Sequence, residues 1–167
     1  MSTNNSQKLS LVGLDRSELT AALEDIGEKP FRAKQLWHWI YHHGVADFSE
    51  MTTLNGPLRE TLAERFTLAR PDVAREQRSE DGTRKWLLRF GDGREAECVH
   101  IPEADRGALC VSSQVGCTLS CAFCHTGTQK LVRNLDASEI VGQMLGARAK
   151  FGACPVIFIQ TAVPQAG

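Results

Sequence analysis

Apolar positions recur at helical spacing through the first seventy residues. Leu19, Ala22, Leu23 and Ile26 follow Asp15 and Glu18, which stand three apart as in a capping box, and the run stops at Gly27. Pro30 suits a first helical turn, and Ala33, Leu36, Trp37, Ile40 and Tyr41 carry a second apolar stripe to Gly44. Pro57 opens a third segment with Leu58, Leu62 and Phe66 on one face. The spacing predicts a small helical domain over residues 9–70, preceded by a polar tail at residues 1–8.

From Val73 the pattern shortens to extended runs broken by turn residues. Asp81-Gly82 precedes Trp86 to Leu88, and Gly91-Asp92-Gly93 precedes Ala96 to Ile101, which predicts a β-meander over residues 71–107. Next come a strand over Leu109–Ser113 and a glycine and cysteine loop from Gly116 to Gly127. Asp136 and Glu139 then cap a helix carrying Ile140, Val141, Met144 and Leu145 to near Gly152, and Val156–Gln160 has the composition of a buried parallel strand. The fold class is therefore α/β: an α+β N-terminal part, then the first βαβ unit of a parallel sheet over residues 108–167. One such unit leaves an open sheet edge, so the chain is expected to be a piece of a longer protein.

Composition narrows the classes of function. With 42% hydrophobic and 23% charged residues the chain reads as an ordinary soluble globular protein. Its formal net charge of -1 supplies no global basic field, so a nucleic-acid partner would have to be met by local patches. The start of the chain lacks the basic-then-apolar order of a secretory signal, and no apolar run is long enough to span a bilayer; the expectation is a cytoplasmic protein with no membrane partner. In a reducing compartment its six cysteines favour metal or catalytic roles over a disulfide framework.

Cys117, Cys121 and Cys124 are spaced C-x3-C-x2-C, close enough for one turn of chain to aim three thiols at a single inorganic centre. Three thiolates on a four-iron cubane leave one iron open to a cofactor. A closed zinc site would need a fourth ligand, for which His125 or Cys154 is available, and unrelated free thiols are the third reading. Phe123 inside the triplet and Gly116 and Gly127 at its ends favour a shielded, wrapped cluster.

The stretch Leu109-Cys110-Val111-Ser112-Ser113-Gln114-Val115-Gly116-Cys117 runs on to Cys121-Ala122-Phe123-Cys124-His125-Thr126-Gly127. After it stand Arg133-Asn134-Leu135 and Ser138-Glu139-Ile140-Val141-Gly142-Gln143. Together these closely resemble the RlmN family of dual-specificity radical S-adenosylmethionine RNA methyltransferases. The resemblance extends upstream through Gly27 to Ala33, Gln77 to Thr83 and Ile101 to Glu103, covering Leu9 to about Gly152.

It implies that Cys117, Cys121 and Cys124 hold a [4Fe–4S] cluster that binds S-adenosylmethionine, within the start of a radical S-adenosylmethionine partial α/β barrel. It also implies methylation of carbon 2 of an adenosine in 23S ribosomal RNA and in tRNA, a flavodoxin- or ferredoxin-like electron donor, and a monomer. Matched residue by residue, Glu97 falls where the family has its proton acceptor. Cys110 falls where the family has the thiol that resolves a protein–RNA adduct by transient disulfide exchange. Taken alone, Glu97 reads as a solvent-facing strand carboxylate and Cys110 as a small buried hydrophobe.

RNA contact is expected in two patches: Lys29, Arg32 and Lys34, beside Trp37, His38, His42 and His43, and Lys130 with Arg133. Each patch also reads as an ordinary solvated face. The tail Cys154 to Gly167 lacks the family's Gly-Glu-Pro element and its methyl-carrying cysteine, and Thr161 to Gly167 looks like an unrelated ending, such as a frameshift would leave. On that reading the chain alone does not complete a methylation cycle. The competing expectations are an RNA-binding module with a structural zinc or non-catalytic iron–sulfur site, and a fragment without function.

Overall fold

A computed structural model describes residues 8–103, 107–116, 130–151 and 156–160, the last five and Phe151 by backbone course only. The chain divides into two compact units, Met1–Arg70 and Pro71–Gly167.

In the first unit, strand β1 (Leu9–Ser10) leads to helix α1 (Arg16–Glu24). The Asp15 side chain accepts from the amides of Ser17 and Glu18, while the Glu18 carboxylate accepts from the Asp15 amide, so the expected capping box is complete. Helix α2 (Phe31–Trp37) continues without a break into a π-helical turn, His38–His43, where the sequence predicts one uniform helix. Gly44 ends it at φ 69°, a left-handed conformation that glycine adopts without strain. The Arg70 guanidinium caps that end by donating to the carbonyls of Gly44 and Val45 at 2.6 and 2.9 Å. A short 3₁₀ turn, Phe48–Glu50, precedes helix α3 (Gly56–Arg65), which Asn55 caps. Strand β2 (Phe66–Thr67) then pairs in parallel with β1. Leu19, Leu23, Leu36, Ile40 and Leu62, positions that the helical spacing picks out, are buried as the core together with Leu11 and Met51 from the connecting segments.

The second unit is built on a five-stranded sheet. Strands β3 (Asp72–Arg78), β4 (Arg84–Arg89), β5 (Glu95–Pro102) and β6 (Gly107–Val111) run antiparallel in chain order. After them, β7 (Gln114–Val115) pairs with β8 (Arg133–Asn134) as a separate two-stranded ribbon. Helix α4 (Ala137–Phe151) then crosses over to β9 (Val156–Gln160), which lies parallel to β6. This is the expected βαβ unit. Asp136 and Glu139 form its capping box.

Along β4, β5 and β6 buried and half-buried residues alternate. Trp86, Leu88, Cys98, Leu109 and Val111 point to one face, where Ile140 and Ala147 of α4 pack on them. Burying each large member of this cluster contributes roughly 1.5–3 kcal/mol, so the helix fixes which face of the sheet is closed. The opposite face carries Lys85, Leu87, Glu97, Val99, Ala108 and Cys110, all partly exposed.

Candidate functional site

Glu97 and Cys110 lie on adjacent strands and on the same face of the sheet, the one turned away from α4. Val99 pairs with Cys110 and Leu87 with Glu97, so Glu97 and Cys110 are diagonal neighbours. The Glu97 carboxylate accepts from Lys85 Nζ at 2.6 Å and keeps about a third of its side chain exposed. Burial pushes the Cys110 thiol above its ordinary range, so near neutrality it is held as S–H and would need a base to become nucleophilic. Cys98, one residue from Glu97 but on the closed face, has its thiol pushed up to about 12 by burial, with a smaller contribution from Cys110. It packs as a hydrophobe, with the inert thiol expected of a structural cysteine.

Past Cys110 the chain leaves the sheet. The expected strand over Leu109–Ser113 ends at Val111 because Ser112 gives its backbone to a side chain instead of a strand. The Ser112 amide donates to Gln143 Oε1 at 3.0 Å, and Gln143 Nε2 donates to the Ser112 carbonyl at 2.8 Å. Ser112 Oγ in turn donates to the Glu97 carbonyl at 2.7 Å. Gln143 is 2% exposed, so this buried clamp ties α4, the exit of β6 and the backbone of Glu97 together.

Beyond the clamp, Gln114 and Val115 pair with Asn134 and Arg133, the Leu135 amide donates to the Ser113 carbonyl, and the Val132 amide donates to the Val115 carbonyl. Gly116, at φ 79°, closes the ribbon: a Cβ there would lie 2.1 Å from the Lys130 carbonyl oxygen. The chain therefore enters and leaves residues 117–129 at one point. Cys117, Cys121 and Cys124, the predicted cluster ligands, lie outside the described residues, as do His125 and Cys154. Three closely spaced thiols, entered from a neck that only glycine permits, form a donor set that fits an iron–sulfur cluster with one open iron.

The predicted RNA contacts fall in different settings. Lys29, Lys34 and Lys130 are exposed. The Arg32 guanidinium lies 5.0 Å from the Phe31 ring centroid, donates to Gln35 and sits 3.8 Å from Glu28. Arg133 is committed within its own unit: it makes a two-pronged pair with Glu139 at 2.7 Å, donates to Asp92 at 2.8 Å and covers Phe90. These two carboxylates raise the Arg133 pKa, and Arg133 lowers that of Asp92. The arginine thus fastens the β4–β5 turn and the start of α4 to the ribbon. Ser112 and Gln143 stand in the quoted motifs with no role assigned, and the fold shows that they hold the exit of β6.

Residues 9–68 match the family model described as the ribosomal RNA large subunit methyltransferase N-terminal domain. The dual-specificity RNA methyltransferase RlmN of Rhodospirillum rubrum is 70% identical over 151 residues, which are 90% of this chain and 35% of that protein. Its counterpart in Gluconobacter oxydans is 65% identical over 147 residues, 87% of this chain and 36% of that protein. Among solved structures, a radical SAM methyltransferase from Sphaerobacter thermophilus superposes with a TM-score of 0.81 at 39% identity, over 90% of this chain and 45% of that one. The chain thus spans about a third of the length of the curated relatives it matches. With this identity over about nine-tenths of its length, the matched N-terminal domain and the shared α/β fold, the chain is similar to the N-terminal part of the RlmN proteins and to a radical SAM methyltransferase of known structure.

Proposed function

We propose that this chain supplies the accessory unit and the cluster-bearing segment of a radical S-adenosylmethionine enzyme that methylates carbon 2 of adenosine in 23S ribosomal RNA and tRNA. The observation that carries the reading is the placement of Glu97 and Cys110 on one accessible sheet face, next to the neck from which the three-cysteine segment departs. Cys117, Cys121 and Cys124 would hold a [4Fe–4S] cluster; when bound, it supplies the electron that makes S-adenosylmethionine a radical source, which an unactivated aromatic carbon requires.

The chain's own residues do the polar work. Glu97 takes up a proton at its carboxylate, with the Lys85 ammonium holding that carboxylate in place. Cys110 is the resolving thiol, and its raised pKa keeps it protonated until a base acts on it. Lys29, Arg32, Lys34 and Lys130 contribute phosphate contacts, which position an RNA without reading its sequence. A soluble electron donor of the flavodoxin or ferredoxin class, a monomeric state and a cytoplasmic location complete the proposal. No helix among the described residues is long and apolar enough to cross a membrane.

A chimera tests the reading. Residues 1–152 of this chain replace the matching stretch of the Rhodospirillum rubrum relative, and the reconstituted protein is given reductant, S-adenosylmethionine and unmodified 23S RNA or tRNA. The chimera is expected to form 2-methyladenosine, and to form less of it when Glu97→Gln is introduced. A soluble chimera that binds its cluster and leaves carbon 2 unmodified sinks the assignment.

A further inference from the structure

The π-helical turn His38–His43 widens the helix and fans its rings over one side of the first unit. His38 stacks on His42 at 4.7 Å between centroids and meets His43 edge-on at the same distance, Trp39 lies 4.4 Å from His43, and Trp37 lies 4.3 Å from Tyr41. A regular α-helix would carry position i+5 away from position i. The wider winding brings His43 back beside His38, and such turns recur at functional positions. Trp37, His38, Trp39, His42 and His43 line an open groove of about 570 Å³, within the range of small-ligand pockets.

Three features define what the groove accepts. Its walls are flat rings, with Phe31 at one end 55% exposed. Its charged side chains are Arg16, whose guanidinium lies 5.3 Å from the Trp37 ring centroid, and Lys34; no carboxylate of the described residues lines it, although α1 and its flanks carry Glu18, Glu24, Asp25 and Glu28. Its polar groups, including Gln35 and the imidazoles, can hydrogen-bond the edge of a heterocycle. Flat apolar walls with cations and no anion complement a nucleobase joined to a phosphate. An apolar helix of a protein partner would find neither an aliphatic floor nor a use for the cations.

We infer that this groove is a stacking subsite for unpaired nucleobases of a single-stranded RNA segment, with Lys34 and Arg16 on the flanking phosphates. The inference rests on the RNA-modifying reading but concerns binding alone, so it can fail while cluster assembly and methylation stand. A duplex keeps its bases stacked on one another and cannot offer them to these rings.

Trp37 and Trp39 line the groove while the third tryptophan, Trp86, is buried in the other unit, so quenching of tryptophan fluorescence reports occupancy. The full chain is titrated with single-stranded oligoadenylate and with the oligoadenylate–oligouridylate duplex. The expected result is quenching by the single strand, weakened roughly tenfold by Phe31→Ala as one stacking face is lost. Lys34→Ala should lower the slope of log affinity against log salt by about 0.7, as one phosphate contact is lost. Both side chains project from the surface of α2, and far-ultraviolet circular dichroism verifies that each variant is folded. Equal affinity for duplex and single strand, affinity unchanged in both variants, or no quenching by either RNA would overturn the inference. In the last case, quenching by an apolar peptide would mark the groove as a protein-docking site.

Discussion

Gly116→Val is expected to leave the protein unable to retain an iron–sulfur cluster while its first unit stays folded. The added Cβ would fall 2.1 Å from the Lys130 carbonyl oxygen and 2.8 Å from the Lys130 carbonyl carbon, both backbone atoms that cannot swing aside as a side-chain tip can. The residue also sits at φ 79°, which costs a β-branched side chain on the order of 1–2 kcal/mol before any clash is counted. Overpacking adds roughly 1–3 kcal/mol. The sum exceeds what a two-residue ribbon such as β7–β8 can hold against, so the neck opens and the cysteines lose their common entry point. Iron and sulfide content after anaerobic reconstitution, beside the unfolding profile of residues 9–70 by hydrogen exchange, checks both halves of the expectation.

Gln143→Ala should be the most damaging substitution in α4. It removes the partner of the Ser112 amide and of the Ser112 carbonyl together, in a place where Ser112 is 7% and Gln143 2% exposed. A buried backbone group left unsatisfied costs roughly 1–3 kcal/mol, so losing both costs on the order of 2–6 kcal/mol, a large share of a stability of about 5–15 kcal/mol. Gln143→Glu separates the two bonds: it keeps an acceptor for the Ser112 amide but loses the donor to the carbonyl and buries a carboxylate. Hydrogen exchange at the Ser112 amide is therefore expected to be fast in Gln143→Ala and slower in Gln143→Glu, although both variants are less stable in urea than the parent. Equal protection of Ser112 in the parent and in Gln143→Ala would mean that the clamp does not hold the exit of β6.

What could be read from the sequence was local. Both capping boxes, Asp15 with Glu18 and Asp136 with Glu139, join residues three apart, and both form as the spacing predicts. The extended runs of β4 and β5 and the βαβ order were legible for the same reason, since turn residues close by in the sequence mark where each run begins. The π-helical turn was not, because the apolar stripe from Ala33 to Tyr41 is compatible with either winding over one turn. Contacts distant in sequence were also hidden: Gln143 reaches Ser112 across 31 positions, and Arg133 reaches Asp92 across 41. Arg133 illustrates the consequence. A basic residue beside the cysteine segment reads as a phosphate contact until its two carboxylate partners are seen.

The site divides in the same way. Family resemblance singled out Glu97 and Cys110, but their shared face follows from the pairing of Val99 with Cys110, a register that no local pattern states. The same register puts Cys98 on the closed face, where its packing gives it a structural place and separates it from its reactive-looking neighbour.

The central claim is that Cys117, Cys121 and Cys124 hold a four-iron cluster with one open iron. Anaerobic reconstitution with iron and sulfide, followed by reduction and electron paramagnetic resonance with and without S-adenosylmethionine, tests it most directly. The account predicts about four irons per chain and a reduced [4Fe–4S] signal that shifts when the cofactor is added. Stoichiometric zinc with no iron signal, or a cluster signal indifferent to the cofactor, would contradict it.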